Sequence, residues 1–335
     1  MNDTVTAAMV FAGAALISFL AAFFLERKFI PFLKSIKMGQ KILDIGPRWH
    51  KSKEGTPTMG GLFIISGTLA AFLIFGLPVV IIKQSFAVLY IFIFMFLNGA
   101  IGFIDDYVKF VKKQNKGLNI IQKLILQFAV AASFLFAMAS GGHITTSIRI
   151  PFTDVSYDLG MYYWLFSILF IVYVVNSVNL TDGLDGLAGS VTLIYMILFT
   201  AVAFTTLSEY SDANLTKLTI LGGLCGGIIG FLCYNIYPAK IFMGDTGSLF
   251  LGGAVAGVAY WFGNPLIIIV AGFIFMLESV SVVLQVASFK ITGKRIFKMA
   301  PIHHHFEMSG WHEKKIVRIF AAVTAVLCAV SYLGF

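Results

Sequence analysis

Residues 176–207 read NSVNLTDGLDGLAGSVTLIYMILFTAVAFTTL: a short stretch crowded with Asn, Asp and Gly, then a run without a single charge. An uninterrupted apolar run of about 20 residues matches the hydrocarbon thickness of a bilayer. Ionisable side chains at membrane depth are costly, so acidic residues packed against such a run imply a task. The pairing of a polar cluster with an apolar run recurs along the chain. His50–Gly61 (HKSKEGTPTMGG), Asp105–Lys109 (DDYVK), Asn235–Ser248 (NIYPAKIFMGDTGS) and Pro301–Glu307 (PIHHHFE) are the other four clusters.

Composition agrees with this reading. The 335-residue chain is 59% hydrophobic and only 12% charged, with a mean hydropathy of +0.90. Soluble domains carry about 25% charge, so the expected class is an all-α polytopic membrane protein, with residues 1–335 forming one integral-membrane domain. Apolar runs predict ten transmembrane helices, near 5–25, 59–82, 85–104, 121–140, 160–178, 187–207, 218–236, 247–262, 265–287 and 316–335. Assigning the connections alternately to two sides leaves Lys83, Arg149 and Lys217 on one side and the other 21 of the 24 Lys and Arg opposite. Positive charge marks the cytoplasmic face. Both termini are therefore expected outside, with all five polar clusters at the cytoplasmic side. The first run follows Asp3 rather than a basic region and is closed by Arg27-Lys28, which suits an uncleaved span. Cys225, Cys233 and Cys328 fall in predicted spans without metal-ligand spacing and are expected to be buried small hydrophobes.

Between the spans there is no room for a soluble domain. Residues 29–45 and 288–300 interleave aromatic and aliphatic residues with lysines, as a helix lying on anionic lipid would, or as a plain basic flank would. The stretch ITTSIRI (144–150) alternates apolar and polar residues before Pro151, which predicts a small outer β-hairpin near 144–157. GGLCGGIIG (222–230) holds three overlapping GxxxG pairs inside a span and lacks the GK[ST] of a nucleotide loop, so it is read as a helix-packing face.

Each polar cluster has a chemical and a structural reading. Adjacent carboxylates at Asp105 and Asp106 repel unless a cation compensates, which suits a general base or a metal site; a helix end solvated among lysines is the alternative. Asp182 and Asp185 share a face if their segment is helical, as do Asn176 and Asn179 one turn earlier, while Gly183 and Gly186 permit a bend. A helix cap needs one Asp rather than this set. Asp245, flanked by Gly244 and Thr246-Gly247-Ser248, precedes a span. It is placed to hold Mg²⁺, with helix N–H groups nearby for phosphate oxygens. Three consecutive histidines cannot all face one way on a helix, so His303, His304 and His305 suit phosphate contacts better than a zinc site. Pro57 and its neighbouring glycines would present Lys51 or Lys53 at the membrane edge. Glu278 within the ninth span is expected to face the protein interior. No Ser or Cys nucleophile constellation accompanies these groups, and Mg²⁺-assisted phosphoryl chemistry fits the inventory.

NLTDGLDGLA (179–188), FMGDTGSL (242–249), Asp105-Asp106, GTPTMGG (55–61) and APIHHHFE (300–307) together resemble the bacterial phospho-MurNAc-pentapeptide transferase (MraY) family, over essentially the whole chain. The acidic motifs also suit the wider polyprenyl-phosphate N-acetylhexosamine-1-phosphate transferase superfamily; the His segment points to the muramoyl-peptide branch. The resemblance implies transfer of phospho-MurNAc-pentapeptide from UDP-MurNAc-pentapeptide to undecaprenyl phosphate, giving lipid I and UMP. It implies Mg²⁺, membrane lipids around a homodimer in the bacterial inner membrane, and no nucleic-acid partner. Carried onto this chain, Asp245 would ligand the metal, and Asp105 and Asp106 would serve the lipid phosphate or the metal. Lys53, Asn176, Asn179, Asp182, Gly183, Asp185, Asn235 and Phe242 would surround uridine and diphosphate, with Phe242 stacked on uracil. Lys109 and Lys123 would contact phosphate; His303, of the essential histidine motif, would be catalytic alongside Asp105, Asp106 and Asp245, and His304 and His305 would contact substrate. A UDP-GlcNAc-dependent relative and a transporter are the competing readings. The one-sided clustering of polar groups and the absence of an inverted motif repeat argue against a transporter.

Overall fold

The computed structural model describes residues 3–36, 53–112, 114, 116–207 and 211–335. His50, Lys51 and residues 37–45 of the proposed lipid-surface segment lie outside the described residues. In lipid every backbone polar group must be satisfied within its own segment, and the long apolar runs accordingly fold as helices. They are α1 (Asp3–Ser35), α2 (Gly61–Ala71), α3 (Leu77–Lys83), α4 (Ala87–Val111), α5 (Ile120–Ser140), α6 (Tyr162–Thr181), α7 (Leu187–Thr205), α8 (Ser211–Asn235), α9 (Gly244–Trp261), α10 (Ile268–Ala271), α11 (Phe273–Thr292), α12 (Ile302–Glu307) and α13 (Glu313–Tyr332). Strands β1 (Ser147–Arg149) and β2 (Ser156–Asp158) pair antiparallel, with Ile148 opposite Tyr157. The two proposed lipid-surface segments are not separate helices where described: residues 29–35 complete α1, and 288–292 complete α11.

Local sequence explains the breaks. Pro78 has no N–H and its ring crowds the carbonyl four residues back, so the turn before it, Phe72–Gly76, widens into a π-helix joining α2 to α3. Gln84 adopts a left-handed conformation and separates α3 from α4. The run 265–287, expected as one helix, is divided: a 3₁₀ turn at Pro265–Ile267 leads into the short α10, and Gly272 breaks the chain before α11.

Among the described residues nine helical stretches are long and apolar enough to cross a membrane, which makes this a multi-pass membrane protein. The expected eighth span, 247–262, corresponds to α9, which is not one of the nine. Its first turn carries Asp245, and every residue from Thr246 to Trp261 is buried. A helix walled in by other helices need not be apolar enough for lipid. Its neighbours approach closely through glycine: Gly252 lies against the backbone of Val175 in α6, and Gly253 and Gly257 lie against Met95, Asn98 and Phe94 in α4.

The glycine run of α8 does the same for the other side of the bundle. Gly222, Gly226 and Gly230 face the backbone of α1 at Phe11, Ala15 and Phe19, while Gly223 and Gly227 face α2 at Ala71 and Thr68. Cys225 and Cys328 are buried as expected, whereas Cys233 is exposed on the flank of α8; all three are free thiols. A side chain at Gly226 would meet the Ala15 carbonyl at 2.0 Å. Gly226→Val should therefore destabilise the detergent-solubilised protein by about 1–3 kcal/mol or more, read as a lowered melting temperature, while Cys233→Ser leaves it nearly unchanged.

Candidate functional site

Three carboxylates from two helices meet at one end of the bundle. Asp105 and Asp106 are in the last two turns of α4, and Asp245 is in the first turn of α9. Their oxygens can lie within 4.8 Å of one another. The backbones come this close because position 102 is glycine; a methyl there would stand 2.0 Å from the Asp245 carbonyl oxygen. Gly61 and Gly247 make a similar approach between α2 and α9. The strand-like stretch before Gly61 holds the loop leading into α9. Phe242 N–H donates to Pro57 O at 2.8 Å, and Gly60 and Gly61 donate to Phe242 and Met243 at 2.8 and 2.9 Å. GTPTMGG therefore sets the height of Asp245 as well as the turn beside Lys53.

The carboxylates have different partners. Asp105 accepts from the Leu118 N–H at 2.7 Å. Asp106 accepts from both the N–H and the hydroxyl of Thr246, at 2.9 and 2.8 Å. One of the N–H groups at the start of α9, a set expected to receive phosphate oxygens, is thus already engaged. Asn179 donates to Asp245 at 2.9 Å and to Ser248 at 2.7 Å. Lys109 Nζ stands 2.6 Å from Asp105, 3.6 Å from Asp106 and 3.1 Å from Asp245, and Lys123 Nζ from α5 stands 2.9 Å from Asp245. Burial alone would raise the Asp245 pKa; Lys123 and Lys109 instead hold it well below the ordinary carboxylate range, so it remains ionised. A cluster of hard oxygen donors with flanking ammonium groups fits a small divalent cation and phosphate oxygens.

A second cluster adjoins the first. The expected shared face of Asp182 and Asp185 is not formed, because α6 ends at Thr181 and residues 182–186 make a turn, with Gly186 at φ 80°. Asp185 points to Lys53 Nζ at 2.8 Å and accepts from the Ala239 N–H at 2.9 Å. Glu313, at the start of α13, takes the same ammonium group at 2.7 Å and the Asp185 N–H. Burial would lower the Lys53 pKa, but its hydrogen bonds to these two carboxylates raise it above the usual lysine value. Asn235 closes this side by accepting from Gly186 N–H and donating to Ile241 O, each at 2.9 Å. Asp182 faces the first cluster. Burial, then the nearby Asp245, Asp106 and Asp185, push its pKa up to about 8.

The remaining expected residues are placed as follows. Asn176 exchanges hydrogen bonds with Gln127 of α5, at 2.8 and 3.3 Å. Phe242 is half-buried in the loop before α9. His303 is buried against Gly183, His304 meets Glu307 at 2.6 Å, and His305 accepts from the Lys298 N–H at 3.1 Å. Glu313, Thr246, Ser248 and Gln127 were not expected. Glu313 stands in a basic stretch, WHEKK, that reads as a membrane flank; Thr246 and Ser248 lie in the Asp245 motif with no side-chain role of their own assigned, and Gln127 carries no signal without the fold.

Comparison with known proteins shows the family to which the chain belongs. A family model described as glycosyl transferase family 4 matches residues 88–263, which include all three clustered carboxylates. A phospho-N-acetylmuramoyl-pentapeptide-transferase signature matches residues 53–65, from Lys53 through GTPTMGG. The phospho-N-acetylmuramoyl-pentapeptide-transferase of Clostridium kluyveri is 46% identical over 322 residues, covering 96% of this chain and 98% of that protein. Those of Clostridium novyi and Clostridium botulinum (strain Alaska E43) are 45% identical over 323 residues and 43% identical over 339; the latter alignment spans both chains completely. The chain belongs to the phospho-N-acetylmuramoyl-pentapeptide-transferase family. It is thus a membrane-embedded transferase of peptidoglycan synthesis.

Asp182 ionises near pH 4 when unfolded and near 8 when folded, so the folded state holds an extra proton between those values. Stability from this group is complete below about pH 4 and is lost as pH rises through about 8. In chelator, the melting temperature of the wild type should fall across that window. Asp182→Asn, which mimics the neutral acid, should flatten the fall.

Proposed function

We propose that the enzyme transfers phospho-MurNAc-pentapeptide from UDP-MurNAc-pentapeptide to undecaprenyl phosphate, giving lipid I and UMP. The observation that carries this reading is the set of three carboxylates interleaved with Lys109 and Lys123 at the end of a membrane bundle. A soluble diphosphate donor and a lipid phosphate can both reach such a place. The proposed setting is a ten-span topology with α9 as the eighth span, termini outside, the site on the cytoplasmic face of the bacterial inner membrane, and a homodimer. The charge asymmetry of the connections supports the orientation.

Asp245, with Asp105 and Asp106, would hold Mg²⁺, which supplies neutralisation of the donor diphosphate. Lys109 and Lys123 reach the same point as flexible cations and bind phosphate oxygens. Lys53, Asn176, Asn179, Asp182, Gly183, Asp185, Asn235 and Phe242 form the donor side, with Phe242 stacking on uracil. The three histidines border that side. The lipid phosphate is already anionic near neutral pH, so it needs orientation more than deprotonation. Asp105 orients it for attack on the phosphorus bonded to the sugar; the new P–O bond forms as the bond to UMP breaks. Direct transfer is favoured over an aspartyl intermediate because Asp105 and Asp106 already accept backbone hydrogen bonds, which lowers their reactivity as nucleophiles.

Purified protein given Mg²⁺, undecaprenyl phosphate and UDP-MurNAc-pentapeptide should release UMP, and UDP-GlcNAc should not replace the donor. Asp245→Ala should reduce release by about 10²-fold or more. Release with UDP-GlcNAc alone would move the enzyme to a sister branch. A labelled covalent adduct formed from the donor without lipid would overturn the direct route.

A further inference from the structure

Glu278 is the only acidic residue of α11, and it is completely buried at 0% exposure. Its Oε2 stands 3.0 Å from Nδ1 of His303, itself 1% exposed. The approach at Nδ1 falls short of a well-aligned hydrogen bond. The same oxygen also accepts from the His303 backbone N–H at 3.4 Å. An ionisable residue within a membrane span faces the protein interior and has a specific partner. Here the partner is the first histidine of the PIHHHFE segment.

The opposite edge of that imidazole meets the turn between α6 and α7. A methyl group on Gly183 would stand 2.2 Å from His303 Nε2. The His304 ring closes a third side, with centroids 4.1 Å apart. His303 is thus wedged between a carboxylate and the turn that carries Asp182 and Asp185. Glu278 Oε1 and His303 Nε2 have no hydrogen-bond partner among the described residues. Leaving a buried polar atom unpaired costs about 1–3 kcal/mol, which an apolar pair in the same space would avoid.

We infer that Glu278 is a positioning residue of the transfer reaction: it orients His303, and the imidazole supports the Gly183 turn in its donor-binding form. A carboxylate opposite Nδ1 keeps the ring hydrogen on that nitrogen and leaves Nε2 as the acceptor facing the turn. The inference rests on the proposed function, in which that turn contributes to binding of the nucleotide-sugar donor.

The test compares wild type, Glu278→Gln and Glu278→Asp. Two quantities are measured: the ¹⁵N shifts of the His303 imidazole in labelled, detergent-solubilised enzyme, and KM for each substrate. In the wild type Nε2 should show the shift of an unprotonated nitrogen. Glu278→Gln should alter that signature and raise donor KM about tenfold or more, with KM for undecaprenyl phosphate unchanged; Glu278→Asp should recover part of the loss. A general loss of folded enzyme would lower the apparent kcat and leave donor KM alone, and that result overturns the inference. So does a wild-type His303 protonated at Nε2, which decides the matter even if neither variant folds. If the wild type releases no UMP from the muramoyl donor, the donor assignment fails, while the nitrogen shifts still report on the Glu278–His303 contact.

Discussion

Three carboxylates held within 4.8 Å at the edge of a membrane bundle repel one another, and the structure is arranged around meeting that cost. Carboxylates in a low-dielectric setting either take up protons or acquire cations and hydrogen-bond donors. Here Lys109 arrives from the next turn of the same helix, Lys123 from α5, Asn179 from α6 and the Thr246 N–H from α9. Four helices must therefore end at one point with little tolerance. Asp182, which has no ammonium partner among the described residues, shows the other solution: burial and the neighbouring acids push its pKa up to about 8.

Bringing those ends together requires helices that pack closer than ordinary side chains allow. Association of helices in lipid depends on close van der Waals contact, which small residues permit. Gly102 lets α4 reach the start of α9, Gly61 and Gly247 bring α2 against it, and the glycines of α8 draw in α1 and α2. The consequence for α9 is complete enclosure by protein. Its composition answers to neighbouring helices rather than to lipid, so small residues and a polar first turn are tolerated where a lipid-facing helix would need Leu and Ile.

The second cluster uses the same physics for a different end. Lys53 between Asp185 and Glu313 links the loop before α2, the turn after α6 and the start of α13. One lysine facing two carboxylates leaves a local excess of negative charge beside the Lys109–Lys123 group. With Lys109 and Lys123 facing three carboxylates, the first cluster also holds more acidic than ammonium groups, so both clusters have room for a divalent cation and for hydrogen-bonding heterocycle edges.

Apolar runs of bilayer length, the uneven distribution of Lys and Arg, and the five polar clusters were legible in the sequence, because they depend on composition and local spacing. The same holds for the helix-packing role of the 222–230 glycines and for the short hairpin after α5. Pairing was not legible. The i, i+3 spacing of Asp182 and Asp185 suggested one face, yet the chain leaves the helix at Thr181 and sends them to different partners. Glu313 looked like part of a basic flank, Thr246 and Ser248 looked like mere neighbours of Asp245, and Gln127 looked like an ordinary helix residue. Their roles come from contacts across more than forty positions of sequence, such as Thr246 with Asp106 and Gln127 with Asn176. Hydropathy and periodicity describe what one segment does against a bilayer. Which lysine neutralises which carboxylate, and which carboxylate lies behind His303, is decided by how helix ends meet.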